Sequence, residues 1–129
     1  GLIFHRVIKA FMVQGGGVDE AYAKTPTSEP IENEADKGLL NERGTIAMAR
    51  TGDPHSATNQ FFLNVKYNGF LNHQSKSQQG WGYTAFGRVI DGMNIVGRIS
   101  RLETGPGGPF PSDVPIEPVI IEKIKIISE

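Results

Sequence analysis

The sequence predicts a mainly β domain, a barrel or a sandwich, on three observations. Glycine and proline are frequent, with 16 and 8 residues in 129, which favours many turns and short strands over long helices. Several short runs are rich in large apolar residues or alternate in polarity, the pattern of half-buried strands. One segment, after Asp91, carries apolar residues at helical spacing. A chain of this length forms one domain, residues 1–129, and can bury a core without staples.

Composition narrows the function classes. Hydrophobic residues at 38% and charged residues at 21% describe a soluble globular protein. A net charge of −1 gives no sign of a phosphate backbone or an anionic membrane as partner. The absence of cysteine excludes disulfides, thiolate catalysis and zinc–thiolate sites, and leaves the compartment open. No apolar run approaches the roughly 18 residues of a membrane span. The chain enters a strand-like run at Gly1 without a charged leader, so no signal peptide is expected within it.

Leu2 to Ile8 and Phe11 to Gln14 read as the first strand pair, with a corner at Lys9-Ala10. Alternation puts Phe4, Arg6 and Ile8 on one face, and Met12 and Gln14 together after the corner. An arginine and a glutamine among apolar neighbours point to a site, because burying such heads unpaired is costly. An ordinary hairpin with both heads in water is the competing reading. Gly15-Gly16-Gly17 is expected to end the ladder, since glycines pack nothing and permit positive φ. A phosphate cradle would need Gly-Lys-Ser/Thr next, and Val18-Asp19-Glu20 follows instead. Residues 18–43, with Pro26, Pro30 and scattered acids, read as a long solvated loop of the kind that borders a site.

Thr45 to Arg50 is the next expected strand, opened by Gly44, and its alanines would let a ligand come close. Thr51 to Asn59 is a loop. In Gln60 to Val65, one face carries Gln60, Phe62 and Asn64; the other carries Phe61, Leu63 and Val65, and is expected to meet the core. Asn68 to Asn72 is a turn bearing Phe70 and Leu71, and Gln78 to Tyr83 a second turn around Trp81. Thr84 to Ile90 reads as a strand. Asp91 is placed to cap a helix through about Ser100, with Met93, Val96 and Ile99 on one face. Thr104 to Pro118 reads as a Gly/Pro-rich connection and Val119 to Ile127 as the last strand. That makes five or six strands with one short helix.

The common catalytic sets are missing. No Gly-x-Ser-x-Gly elbow occurs. His5, His55 and His73 lack ligand spacing, so no metal is expected. The charge balance argues against an RNA module. What remains is a groove with apolar walls and a few hydrogen-bonding heads, Arg6, Gln14 and Gln60, with small-residue backbone near Ala49. Such a surface suits an extended peptide that buries one apolar side chain.

Phe4-His5-Arg6-Val7-Ile8 followed by Phe11-Met12-Val13-Gln14-Gly15-Gly16-Gly17 resembles the signature of the cyclophilins, the peptidyl-prolyl cis-trans isomerases. Met48-Ala49-Arg50, Gln60-Phe61-Phe62, Phe86-Gly87-Arg88-Val89 and Asp91-Gly92-Met93 are similar to later segments of that family, so the resemblance covers essentially the whole chain. Arg50 and the run Gln79 to Tyr83 resemble the bacterial branch. The resemblance implies an antiparallel eight-stranded barrel with short helices. It also implies isomerase activity on X–Pro bonds in peptides and unfolded proteins, assisting folding, in a monomer without cofactor, nucleic acid or membrane partner.

The same resemblance implies roles for particular residues. Phe11, Met12, Phe62 and Leu71 would hold the proline ring, with Arg6 beside its nitrogen. Gln14 and the backbone of Arg50 would hold the flanking peptide, and Ala49, Thr51 and Gln60 would border a neighbouring pocket. Phe70 stands where eukaryotic members usually carry Trp, and Tyr83 where they often carry His. Without the indole N–H donor, a cyclosporin-type ligand is expected to bind weakly. Members normally begin with two strands and a helix before the segment matching Gly1 to Phe4. The sequence is therefore expected to be N-terminally incomplete, with open strand edges and an uncovered end of its core. The compartment implied is a bacterial periplasm or cytoplasm, and the long Gly105-to-Pro118 connection, like that of periplasmic members, leans to the periplasm. Two readings compete with catalysis. One is a non-catalytic adaptor for proline peptides using the same groove; the other is a structural β-module in which Arg6 and Gln14 satisfy each other.

Overall fold

In the computed structural model, which describes residues 1–127, the first apolar run divides into β1 (Leu2–Ile3) and β2 (Arg6–Ile8) and turns back into β3 (Met12–Gly15). The corner falls at Lys9-Ala10, where Ala10 takes a φ of 58°, a left-handed conformation tolerated in a tight reversal. Arg6 lies opposite Gln14, Val7 opposite Val13, and Ile8 opposite Met12. β4 (Thr45–Met48), β5 (Phe61–Asn64) and β6 (Ala85–Arg88) complete an antiparallel sheet in the order β2-β3-β5-β4-β6. Then come α1 (Met93–Ser100), a hairpin of β7 (Thr104–Gly107) and β8 (Phe110–Pro115), and β9 (Ile120–Ile121), which pairs with β1. Single turns of 3₁₀ helix occur at Ala35–Lys37 and Gly69–Leu71.

The two-residue period of the strands sorts side chains onto two faces. On one, Val7 and Val13 are fully buried, with α1 and β8 packed against β2 and the His5 ring 5.0 Å from that of Phe110. α1 turns Met93, Val96 and Ile99 inward and leaves Asn94, Ile95 and Arg98 exposed. On the other face the register aligns Arg6, Gln14, Phe62, Ala47 and Ala85 across all five strands. Here Met12, Ala47, Phe62, Leu71 and Ala85 form a buried cluster, with Phe11, Ala49 and Tyr83 packed on it. The row is polar on β2 and β3 and apolar beyond, and that gradient shapes the site.

The architecture is mainly β, as expected, with several local departures. Nine strands are formed among the described residues, in three sheets, and β2 and β6 are the edges of the largest. Phe86 on β6 is exposed, with the exposed Leu39 and Leu40 beside it. The core-facing side of β5 is the reverse of that expected: Phe62 and Asn64 are buried, whereas Phe61, Leu63 and Val65 are half-buried. The segment carrying Leu71 and Tyr83 folds over Phe62, and Asn64 has all its partners inside. Asp91 does not cap α1; Gly92 occupies the cap position at a φ of 87° without a side-chain bond, a conformation open to glycine.

The 104–118 segment is largely the β7–β8 hairpin, not a bare connection. Its glycines and prolines conceal the strand period, and a two-stranded ladder tolerates proline on its free sides. The last strand is two residues long; Ile124, Ile126 and Ile127 are exposed beyond it. Residues 18–43 are mostly surface, yet Asn33, Ala35 and Asn41 are buried.

Candidate active site

Arg6 is exposed at the end of the cross-strand row, and its Nη1 donates to Gln14 Oε1 at 3.3 Å. Gln14 Nε2 in turn donates to Gln60 Oε1 at 2.9 Å. This relay orients the Gln14 amide, and because it takes a single guanidinium N–H, most donors of Arg6 stay available. The Gly15-Gly16-Gly17 run makes room for it. A Cβ at Gly17 would stand 2.6 Å from the Gln60 side chain, and one at Gly16, whose φ is 94°, 2.6 Å from Asn59 O. The glycines thus serve close packing beside the relay, and the ladder continues one residue into them, with Gly15 paired to Phe61.

Beside Arg6 opens a cleft of about 260 Å³. Met12, Phe62 and Leu71 form its buried floor, and Phe11, Ala49, Phe70 and Tyr83 its walls. The aromatic rings brace one another: Tyr83 stands edge-on to Phe62 at 5.8 Å, and Phe70 lies over Phe11 at 5.6 Å. Phe70 is nevertheless 65% exposed, so it belongs to the rim. A second cavity of about 130 Å³ adjoins the first and shares Gln14, Ala49 and Arg50 with it. Thr51 and Gln60 line this second cavity, together with Ser56 and Thr58. Every site residue singled out in the sequence lines one of the two cavities. A floor already packed and buried needs little reorganisation to accept an apolar ring.

Three features were not foreseen. The first is the Arg50 side chain, whose Nε donates to Gly82 O at 3.0 Å and Nη1 to Thr51 O at 2.8 Å, with the guanidinium 4.5 Å above the Tyr83 ring. The second is the pair Ser56 and Thr58. The third is an asparagine network under the cleft. Asn68 Nδ2 donates to Phe11 O and to Asn64 Oδ1; Asn64 Nδ2 donates to Asn41 Oδ1 and Thr45 Oγ1. Asn41 Nδ2 reaches Leu71 O and Tyr83 O. The network therefore ends on the backbone of three cleft residues. Asparagine inside a strand, at position 64, is the one signal that could have revealed it, since strands disfavour that residue.

His5 neighbours Arg6 in sequence but faces the opposite side, buried against Phe110. Burial, and secondarily the Arg6 charge, hold its imidazole below the ordinary histidine pKa. It packs behind the site and lines neither cavity.

Comparison with known proteins agrees with this geometry. The family described as cyclophilin type peptidyl-prolyl cis-trans isomerase/CLD matches residues 1–126. The chain is 55% identical over 127 residues to a peptidyl-prolyl cis-trans isomerase of Streptomyces antibioticus, covering 98% of this chain and 76% of that protein. It is also 55% identical over 124 residues to peptidyl-prolyl cis-trans isomerase B of Escherichia coli (strain K12), covering 96% and 75% respectively. Its fold is similar to that of a cyclophilin type peptidyl-prolyl cis-trans isomerase of Cryptosporidium parvum, crystallised in the presence of the dipeptide Ala-Pro. The TM-score is 0.70 at 25% identity, over 99% of this chain and 75% of the other. With the cleft, the relay and these likenesses together, the chain belongs to the cyclophilin-type peptidyl-prolyl cis-trans isomerases.

Proposed function

We propose that the cleft holds the proline of an X–Pro peptide and that Arg6 stabilises the amide as it twists. The observation that carries this reading is a guanidinium with free donors at the mouth of a preformed apolar cleft. An X–Pro bond resists rotation because the nitrogen lone pair is delocalised, with a barrier of about 18–20 kcal/mol and relaxation over tens of seconds. At the twisted transition state the lone pair returns to nitrogen, which becomes an acceptor. Arg6 can donate to it there but hardly in the planar ground state, so the bond is selective for the transition state.

Rates of the order of 10³ s⁻¹ require about 7 kcal/mol of barrier lowering. A charge-assisted hydrogen bond supplies about 2–3 kcal/mol. The remainder comes from holding one side of the peptide while the other turns, and from excluding water once substrate covers Arg6. Gln14 and the Arg50 backbone are placed to hold the chain, and Met12, Phe62 and Leu71 to immobilise the ring. Arg6→Lys should be a poor substitute, because a point ammonium lacks the planar fork.

That the Cryptosporidium protein was crystallised in the presence of Ala-Pro supports the same small motif as ligand here. Proline-containing peptides and unfolded chains are the proposed substrates, taken by a monomer in a bacterial periplasm or cytoplasm, with the periplasm favoured by the length of the 105–118 segment. Adding an Ala-Pro peptide should shift resonances of Phe62 and Leu71 and speed its cis–trans exchange. Shifts without faster exchange would make the chain an adaptor, and no shifts would leave a structural module.

A further inference from the structure

We propose that Arg50 makes this isomerase favour substrates with an acidic side chain within two residues of the proline, the carboxylate seating where the proline cleft meets the adjoining cavity. The inference rests on the cleft being the proline site. Arg50 borders both cavities. Its guanidinium is fixed by the carbonyls of Gly82 and Thr51 and by the Tyr83 ring. Those two bonds use Nε and one Nη1 hydrogen, which leaves Nη2 and the second Nη1 hydrogen for a ligand.

Among the described residues no carboxylate answers this charge on the substrate side. The ion pairs among the described residues join Lys76 to Asp36 and Arg88 to Glu42, and neither cavity is lined by an acid. Asp53, in the nearby loop, directs Oδ1 to the backbone N–H of His55 at 2.9 Å. Glu32 and Glu34 line a separate cavity that Arg50 also borders; they soften its field without occupying the cleft. With Arg6, the two joined cavities hold two guanidiniums and no acid among the described residues, in a chain whose net charge is −1. Concave, low-dielectric walls focus such a field. A guanidinium already immobilised loses little entropy on engaging a carboxylate, whose planar geometry it matches.

The test measures kcat/KM by exchange NMR for matched peptides carrying Glu, Gln or Lys. The variable residue is placed in turn at each of the two positions before and the two after proline. At one of them, Glu should exceed Gln by roughly two- to fivefold at low salt, the range of a partly exposed ion pair, and Lys should fall below Gln. The Glu/Gln ratio should approach one at high salt and in Arg50→Gln, and Arg50→Lys should keep part of it. Equal values for Glu and Gln at all positions would overturn the proposal. So would a Glu preference that survives in Arg50→Gln, which would move the effect to Arg6. Failure of the cleft assignment reads differently: Arg6→Ala would then leave turnover of the Gln peptides intact.

Discussion

Leucine at position 64 is close to asparagine in reach but removes every side-chain polar bond of a residue that is wholly buried. Three bonds disappear: to Asn41 Oδ1 at 3.1 Å, to Thr45 Oγ1 at 2.9 Å and from Asn68 Nδ2 at 2.7 Å. Thr45 keeps its own donation to Glu42 O at 2.7 Å, so its loss is minor. Asn41 Oδ1 and one Asn68 hydrogen are left buried and unpaired, at about 1–3 kcal/mol each. The apolar gain of leucine offsets part of this, which leaves a net cost of about 3 kcal/mol. For a domain of this size that lowers Tm by about 10 °C.

Because the network ends on the carbonyls of Phe11, Leu71 and Tyr83, the cleft should loosen before the fold is lost. Below the melt, KM for an Ala-Pro peptide should rise several-fold per folded molecule. Urea unfolding with an unchanged m-value gives the stability, and exchange NMR the KM. A Tm within about 2 °C of wild type would refute the energetics. A lowered Tm with an unaltered KM would refute the link to the cleft.

Two further outcomes follow from the same structure. His5 has its folded pKa held below the ordinary 6.5 by burial and by Arg6. Its contribution to stability is therefore complete above that pH and declines as pH falls toward the folded pKa, where the unfolded chain takes a proton that folded His5 refuses. The slope is at most about 1.4 kcal/mol per pH unit; urea midpoints at neutral and mildly acid pH should show it in wild type and not in His5→Gln, and equal slopes in both would contradict it. Phe70→Trp restores an indole donor at an exposed rim position and should tighten a cyclosporin-type ligand about tenfold with Tm unchanged. An unaltered titration would remove Phe70 from that role.

The site was legible in the sequence where its logic is local. Arg6 and Gln14 stand out as polar heads among strand residues, and a period of two was enough to place Phe62 and Gln60 on one face. What could not be read depends on distant partners. Asn64 looks like the polar side of a half-exposed strand until Asn41 and Asn68, 23 and 4 residues away, supply its bonds. The Arg50 guanidinium looks like a surface charge until Gly82, 32 residues on, accepts from it. The β7–β8 hairpin was hidden for a different reason, since glycine and proline erase the alternation by which strands are recognised.

The central claim is that Arg6 lowers the barrier to X–Pro rotation by donating to the twisted nitrogen. The most direct measurement is the cis–trans exchange rate of an Ala-Pro peptide with wild type and Arg6→Ala at equal folded concentration. Arg6→Ala should keep its melt and its peptide-induced shifts at Phe62 and Leu71, while saturating exchange slows by about 30- to 150-fold, the value of a charge-assisted hydrogen bond of about 2–3 kcal/mol. Exchange near the wild-type rate in a folded, peptide-binding Arg6→Ala protein would contradict the account.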